Sequence, residues 1–229
     1  MKHSRKFMNS QAESCRNLRR HAFTVPELVL VIGCLVLLAA LLLPALPRSH
    51  TRSSHLSCVN NLKQIGLCFK QEAIDMGYGG RFPMQVSVTN GGTIELVPRG
   101  MVFPHFQVAS NTLTTPKLLV CPDDERRNWA TNFTSDLTDK NLSYFLNVDS
   151  ANGDPRSLLC GDRNITNKAP VGSQLVYLTK GATLAWNKEL HSKKGYLLFG
   201  DGHVDLFNNR AAGAAIRIAA GVTNRLAVP

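Results

Sequence analysis

Between 28 and 46 the chain carries no polar side chain other than that of Cys34. A helix of about 20 such residues, rising about 1.5 Å each, crosses the roughly 30 Å hydrocarbon core of a bilayer. A core helix of a water-soluble protein keeps one polar face, and this run has none. Its flank assigns a direction. Residues 1–22 hold Lys2, Arg5, Lys6, Arg16, Arg19 and Arg20 against Glu13 alone, which puts half of the net charge of +10 in the first tenth of the chain. Basic residues beside an apolar span stay on the cytoplasmic side. The expectation is a cytoplasmic N-terminus, a single-pass inner-membrane helix and a periplasmic domain beyond 47. With the charge excess concentrated in this leader, nothing points to a nucleic-acid partner. The 44% hydrophobic content excludes a disordered chain. A secretory signal peptide is the other reading of such a segment. Ala45 offers a small residue for its cleavage, but Pro44 and Pro47 flank it and the apolar run is long for that role.

A carboxylate stands at the mouth of the run, in Ala22-Phe23-Thr24-Val25-Pro26-Glu27. A charged group in a bilayer costs about 2.5–3.5 kcal/mol at the centre and less near an end, so it usually has a partner. Residues 20–28, RHAFTVPEL, resemble the cleavage and methylation motif of type IV pilins and type II secretion pseudopilins. The resemblance implies a prepilin peptidase that cuts between Ala22 and Phe23 and then methylates the new Phe23 amine. It implies that Glu27 pairs with the terminal ammonium of a neighbouring subunit as a fibre assembles. Either charge would be stranded without the other, so the pair sets axial register. Ala22 stands where Gly is commoner, and Pro26 where Leu or Ile is usual. Pro26 falls in the first helical turn, whose N–H groups have no helical acceptor, so the helix tolerates it.

Beyond 47, Leu56, Val59, Leu62, Ile65, Phe69, Ala73 and Met76 recur at spacings of three or four, and Gly77-Tyr78-Gly79-Gly80 stops the pattern. A helix unbroken over 23–76 would be roughly 80 Å long, bent or locally melted at Pro44 and Pro47. Its amphipathic half needs a sheet to cover it. Short strands are expected at 85–88, 93–97, 118–120, 143–148, 174–178, 195–199 and 203–207. Asp201-Gly202 between the last two signals a hairpin. The Ala-rich stretch 208–229 predicts a weakly helical tail. The expected fold is α+β and pilin-like: a long transmembrane helix continuing into a periplasmic helix packed on a small antiparallel sheet. Its divisions are 1–22 leader, 23–47 transmembrane and polymerisation helix, 48–80 periplasmic helix, and 81–229 β-rich head.

The resemblance extends downstream. The segment 58–67, CVNNLKQIGL, is similar to one common in pseudopilin-like proteins of planctomycetes and verrucomicrobia, as are Cys121-Pro122-Asp123, Ser143-Tyr144-Phe145 and Gly161-Asp162-Arg163-Asn164-Ile165-Thr166. So is His191, followed after nine residues by Asp201-Gly202. In an oxidising periplasm Cys58, Cys68, Cys121 and Cys160 are disulfide candidates. Cys58 and Cys68 lie ten residues apart on one helix, roughly 15 Å by rise and beyond disulfide reach. Two pairings remain, and the family-like motifs favour Cys58–Cys121 with Cys68–Cys160. Free buried thiols are the other reading.

His191, Asp201, His203 and Asp205 are candidate metal ligands, since His203 and Asp205 share one face of a strand. The resemblance raises calcium, which takes about six to eight oxygens, whereas only Asp201 and Asp205 stand close in sequence. The plainer reading makes Asp201-Gly202 a turn that His191 hydrogen-bonds. Asp123, Asp124 and Glu125 read as a solvated loop, and Gly161-Asp162-Arg163-Asn164 as a tight turn with an Asp–Arg hydrogen bond. Phe103, Phe106 and Trp129 are the aromatics available to a binding loop or to the core. No nucleophile elbow, zinc-protease motif or phosphate loop appears.

The sequence therefore points to a structural subunit rather than an enzyme, with no required cofactor. Its expected partners are the prepilin peptidase, other pseudopilins, the inner-membrane secretion platform and the membrane. The rivals are a membrane-anchored periplasmic metal-dependent hydrolase and an anchored ligand-binding protein. The processing motif makes a direct prediction. Mass spectrometry of the membrane fraction should find a chain that begins at Phe23 with a methylated amine. A terminus at Met1, or one following Ala45, contradicts it.

Overall fold

The computed structural model describes residues 24–42, 46–170, 173–179, 182–209 and 223–229. The chain divides between Ser49 and His50 into two units. Helix α1 (Val25–Leu42) belongs to the first, and none of its residues is buried. Among the described residues it is the one helix long and apolar enough to cross a membrane. Pro26 occupies its first turn, where a missing N–H costs nothing. Glu27 folds back on that turn: its Oε2 accepts from the Thr24 amide at 3.1 Å and the Thr24 hydroxyl at 3.0 Å. A second helix, α2 (Leu46–Asp75), follows, and 43–45, which include Pro44, lie outside the described residues.

Within the second unit α2 ends where glycine permits it. The backbone turns left-handed at Gly77, at φ 65°. The buried stripe of α2 is Cys58, Leu62, Ile65, Phe69 and Ala73. Leu56 and Met76, expected on that stripe, are exposed instead. Cys58 lies nearer the centre of the buried face, and it takes the place assigned to Leu56.

Six antiparallel strands form one sheet in the order β3-β6-β1-β2-β4-β5. They are β1 (Tyr144–Asn147), β2 (Leu158–Asp162), β3 (Leu175–Leu178), β4 (Lys194–Phe199), β5 (Val204–Asn208) and β6 (Asn224–Ala227). The fold is thus α+β, with one apolar N-terminal helix and an antiparallel sheet. Side chains alternate between two cores, as the pleat requires. Tyr144, Leu146 and Leu198 pack with α2, while Phe145, Leu197 and Phe199 pack on the far face with Trp186 and Leu226. A helix α3 (Phe103–Val108) adds Phe106 to the α2 side.

Several expected elements take another form. The strands proposed at 85–88, 93–97 and 118–120 are 3-10 turns: Pro83–Gln85, Val88–Asn90, Ile94–Arg99 and Pro116–Leu119. Pro83, Pro98 and Pro116 fix φ and remove a ladder donor, which suits a turn better than a strand. Conversely, Gly161-Asp162 ends strand β2 instead of turning. A Cβ at Gly161 would lie 2.6 Å from Leu197 Cδ2 and 2.8 Å from Phe145 Cζ, so this glycine serves close packing. In the tail read as weakly helical, Asn224–Ala227 is strand β6, while 210–222 lie outside the described residues.

Gly195 makes the tightest test of the far core. A Cβ there would meet Trp186 Nε1 at 2.0 Å and Cε2 at 2.2 Å, in a fully buried indole. Gly195→Ala should destabilise the fold by roughly 1–3 kcal/mol through overpacking. Urea unfolding checks this, and an unchanged midpoint contradicts the packing described.

Candidate functional site

Four separate segments bring polar groups to one end of the sheet. Helix α2 supplies His55 and Cys58, which are neighbours at helical spacing. The segment after the turn Pro116–Leu119 supplies Cys121, Asp123 and Asp124. The end of β2 supplies Asp162 and then Arg163, and β4 supplies Tyr196. His191 sits in the turn before β4, where His191, Ser192 and Lys193 hold φ of 48°, 51° and 66°. Left-handed backbone at non-glycine residues costs about 1–2 kcal/mol each. It persists where neighbours impose it. Here Asn164 Nδ2 donates to the Asn187 and Leu190 carbonyls at 3.2 Å each, tying the turn to β2.

The turn aims a fully buried imidazole into the cluster. Cys58 and Cys121 form a disulfide. His191 Nε2 lies 3.4 Å from Cys121 Sγ and 3.5 Å from Asp162 Oδ2. His191 Nδ1 lies 3.0 Å from Asp123 Oδ2, at ion-pair distance but off the line of a hydrogen bond. His55 packs edge-on against His191, with ring centroids 4.8 Å apart. Its Nδ1 meets the Tyr196 hydroxyl at 3.0 Å and its Nε2 lies 3.7 Å from Asp123 Oδ2. Asp123 and His55 form the solvent edge, with side chains 25% and 31% exposed.

Electrostatics differ sharply across the cluster. Burial pushes Asp162 up to about 8, against the bond it accepts from the Tyr196 amide at 2.7 Å. Burial also lowers His191 below the ordinary imidazole value, against the pull of Asp123. At neutral pH Asp162 is therefore largely a neutral acid beside a neutral imidazole. Asp124 behaves oppositely. Burial alone would raise it, but Arg163, at 2.7 and 2.8 Å, and the Ser143 hydroxyl, at 2.8 Å, outweigh burial and hold it below the usual carboxylate range. Arg163 also reaches Glu189, which pairs with Arg126.

These contacts revise the sequence reading at several points. His191 does not meet Asp201-Gly202, because the turn before β4 directs it to Asp123 and Asp162. Asp201 instead caps its own hairpin, accepting from His203 N at 3.0 Å and meeting His203 Nδ1 at 2.5 Å. Asp205 approaches the opposite nitrogen of His203, Nε2, at 3.9 Å, so His191, Asp201, His203 and Asp205 do not converge on one ligand point. The Lys70 ammonium donates to the Asp201 carbonyl. The acidic run is not simply solvated, since Asp124 is buried. Arg163 pairs with Asp124 rather than Asp162, because Asp162 points inward to Tyr196 and His191.

Cys68 and Cys160 are free thiols, which corrects the second disulfide proposed. The Cys68 thiol is committed to the Thr112 carbonyl at 3.2 Å, and Cys160 is buried in β2. Phe106 is core, Phe103 packs against the core, and Trp129 is exposed beneath the Lys117 ammonium. Ala22 and Phe23 lie outside the described residues.

Donor atoms of Cys58, Cys121, Asp123 and His191 lie within 4.8 Å of one another, a grouping that could hold a metal ion. With both sulfurs joined to each other, the thiolates that zinc prefers are not on offer. The sequence reading missed His55, Asp162 and Tyr196 as members of this cluster. The placing of His55 three residues before Cys58 was the available signal. No protein family, curated protein or solved structure matches the chain.

The buried acid sets a pH dependence. A carboxyl raised in the folded state costs stability as pH climbs from its ordinary value to the raised one. His191, lowered on folding, adds the opposite trend, which is complete once the unfolded imidazole is neutral near pH 7. Between about pH 7 and pH 8 the folded protein should therefore lose on the order of 1 kcal/mol through Asp162. Asp162→Asn should flatten that slope in urea titrations. Parallel slopes in the two proteins would contradict a raised Asp162.

Proposed function

We propose that the protein is a pilin-like structural subunit, processed by a prepilin peptidase and assembled by helix packing into a secretion pseudopilus or pilus-like fibre. The observation that carries the reading is α1. Its apolar side chains are exposed along its length, and its only charged residue, Glu27, lies at the amino end. Water does not tolerate so much uncovered apolar surface, so a bilayer or neighbouring copies must cover it. Length and apolarity alone would suit a plain anchor equally well. The fibre reading draws its specificity from Glu27, together with the motif at 20–28 and the basic leader.

A carboxylate at that depth needs a partner, and in this reading the partner is a neighbour's terminal ammonium. Glu27 also caps its own helix through Thr24, a contact worth about 1 kcal/mol. The two roles separate by substitution. Glu27→Gln keeps an acceptor for the Thr24 amide and removes the charge, whereas Glu27→Ala removes both. Both variants should insert and be cleaved yet fail to enter fibres, because one unpaired buried charge costs about 3–5 kcal/mol. Crosslinked oligomers and sheared fibres from each strain report this. Equal assembly by Glu27→Gln and the parent would leave Glu27 a helix cap and favour a monomeric anchored protein.

A further inference from the structure

Two imidazole nitrogens meet one carboxylate oxygen at the solvent edge of the cluster. His191 Nδ1 lies 3.0 Å from Asp123 Oδ2, and His55 Nε2 lies 3.7 Å from the same oxygen. Each ring has its opposite nitrogen engaged elsewhere. His55 Nδ1 meets the Tyr196 hydroxyl at 3.0 Å. His191 Nε2 lies 3.4 Å from Cys121 Sγ and 3.5 Å from Asp162 Oδ2. Tautomers that carry the proton on those engaged nitrogens leave one lone pair on each ring, and both belong to the nitrogens nearest Asp123.

Direct pairing with Asp123 leaves this arrangement unsatisfied. His191 Nδ1 is buried without a hydrogen bond, because Asp123 Oδ2 stands off the line that an N–H would take. A metal ion between the two accounts for both the distance and the direction. Zinc holds nitrogen and carboxylate ligands at about 2.0–2.2 Å. Neighbouring ligands in a tetrahedral or octahedral shell are then about 2.8–3.6 Å apart, each about 35–45° off the other's bond to the metal. The separations of 3.0 and 3.7 Å are close to that range.

We propose that His55 Nε2, His191 Nδ1 and Asp123 Oδ2 form a binding site for a zinc-like divalent transition ion, with its remaining coordination positions open to water. Two imidazoles and a carboxylate suit zinc and its neighbours, whereas calcium takes about six to eight oxygens. The disulfide stays closed, so no thiolate takes part. An ion enters at the edge, where the Asp123 and His55 side chains are exposed, and the buried His191 ring forms the inner wall. Groups behind the ligands hold them in place, as metal sites require. Tyr196 orients His55, and Asp162 stands behind His191 Nε2. Asp124, the other acid at hand, is committed to Arg163 and Ser143. The three ligands come from α2, the loop after Cys121 and the turn before β4, so a bound ion ties these segments together. The site does not depend on the fibre reading.

The full-length protein in detergent, with its disulfide intact and stripped of metal by a chelator, should bind one zinc ion per chain by calorimetry. Zinc should also raise its thermal midpoint, since it binds the folded state. Cobalt(II) in its place should give visible d–d bands without a thiolate-to-cobalt charge-transfer band. His55→Ala and Asp123→Asn, both at the exposed edge, should each weaken zinc at least about ten-fold, the least that even an outer-shell change costs. His203→Ala, at the β4–β5 hairpin, should bind like the parent. The site is overturned by absence of saturable binding, by parent affinity in either edge variant, or by loss of binding in His203→Ala. Binding that appears only after reduction, with a thiolate band, also overturns this ligand set. Should an edge variant fail to fold by circular dichroism, protection of the parent decides. Saturating zinc should slow diethyl pyrocarbonate modification of His55, located by mass, and leave His203 reactive. An unchanged rate at His55 overturns the site.

Discussion

The covalent tie between Cys58 and Cys121 spans 63 residues of sequence, and most of what lies between has little regular structure. Closing a loop of that length removes about 4 kcal/mol of chain entropy from the unfolded state. Beyond the end of α2 at Asp75, the enclosed segment contains 3-10 turns and one short helix, so that part contributes few ladder hydrogen bonds of its own. The tie holds its far end against α2, and that end carries Asp123 and Asp124. Moving Cys121 away from α2 would separate Asp123 from both His55 and His191. The polar cluster therefore exists because the disulfide and the helix stripe agree on one docking of α2.

Two neighbouring carboxylates in that cluster show how little burial alone decides. Asp124 and Asp162 are both buried, yet one is held ionised and the other is pushed toward the neutral acid. The difference is a guanidinium. Arg163 offers Asp124 two short bonds in a fork that matches a carboxylate. Asp162 has one backbone donor, and its other oxygen finds no hydrogen bond in the described structure. His191 lies between these regimes, with Asp123 on one ring nitrogen and the disulfide and Asp162 on the other.

The two units pose opposite problems to water. In the second unit the central strands β1 and β2 are covered on both faces and buried at every residue, while the edge strand β5 is largely exposed. In the first unit no residue of α1 is buried among the described residues. A single copy thus satisfies its head internally and leaves the apolar surface of α1 to its surroundings. That asymmetry underlies the proposal of an assembling, membrane-inserted subunit.

What could be read directly from the residues was local or periodic. The uninterrupted apolar run is α1, the i, i+3, i+4 pattern is α2, and the Asp-Gly pair is the β4–β5 hairpin, because each signal is written within a few neighbouring residues. The turns at 83–99 looked like strands because their apolar residues are short-range evidence only, and prolines with no partner strand decided otherwise. Gly161 looked like a turn because its packing demand comes from Leu197 and Phe145, which are distant in sequence. Strand β6 was hidden for the same reason, since its partners β1 and β3 lie far upstream. His191 was singled out by motif but assigned to Asp201-Gly202, its neighbour along the chain. Its actual partners come from α2, the Cys121 loop, β2 and β4. Composition and spacing determined which residues were candidates for chemistry. The fold alone determined which of them meet, because ion pairing and burial depend on distances that only tertiary packing sets.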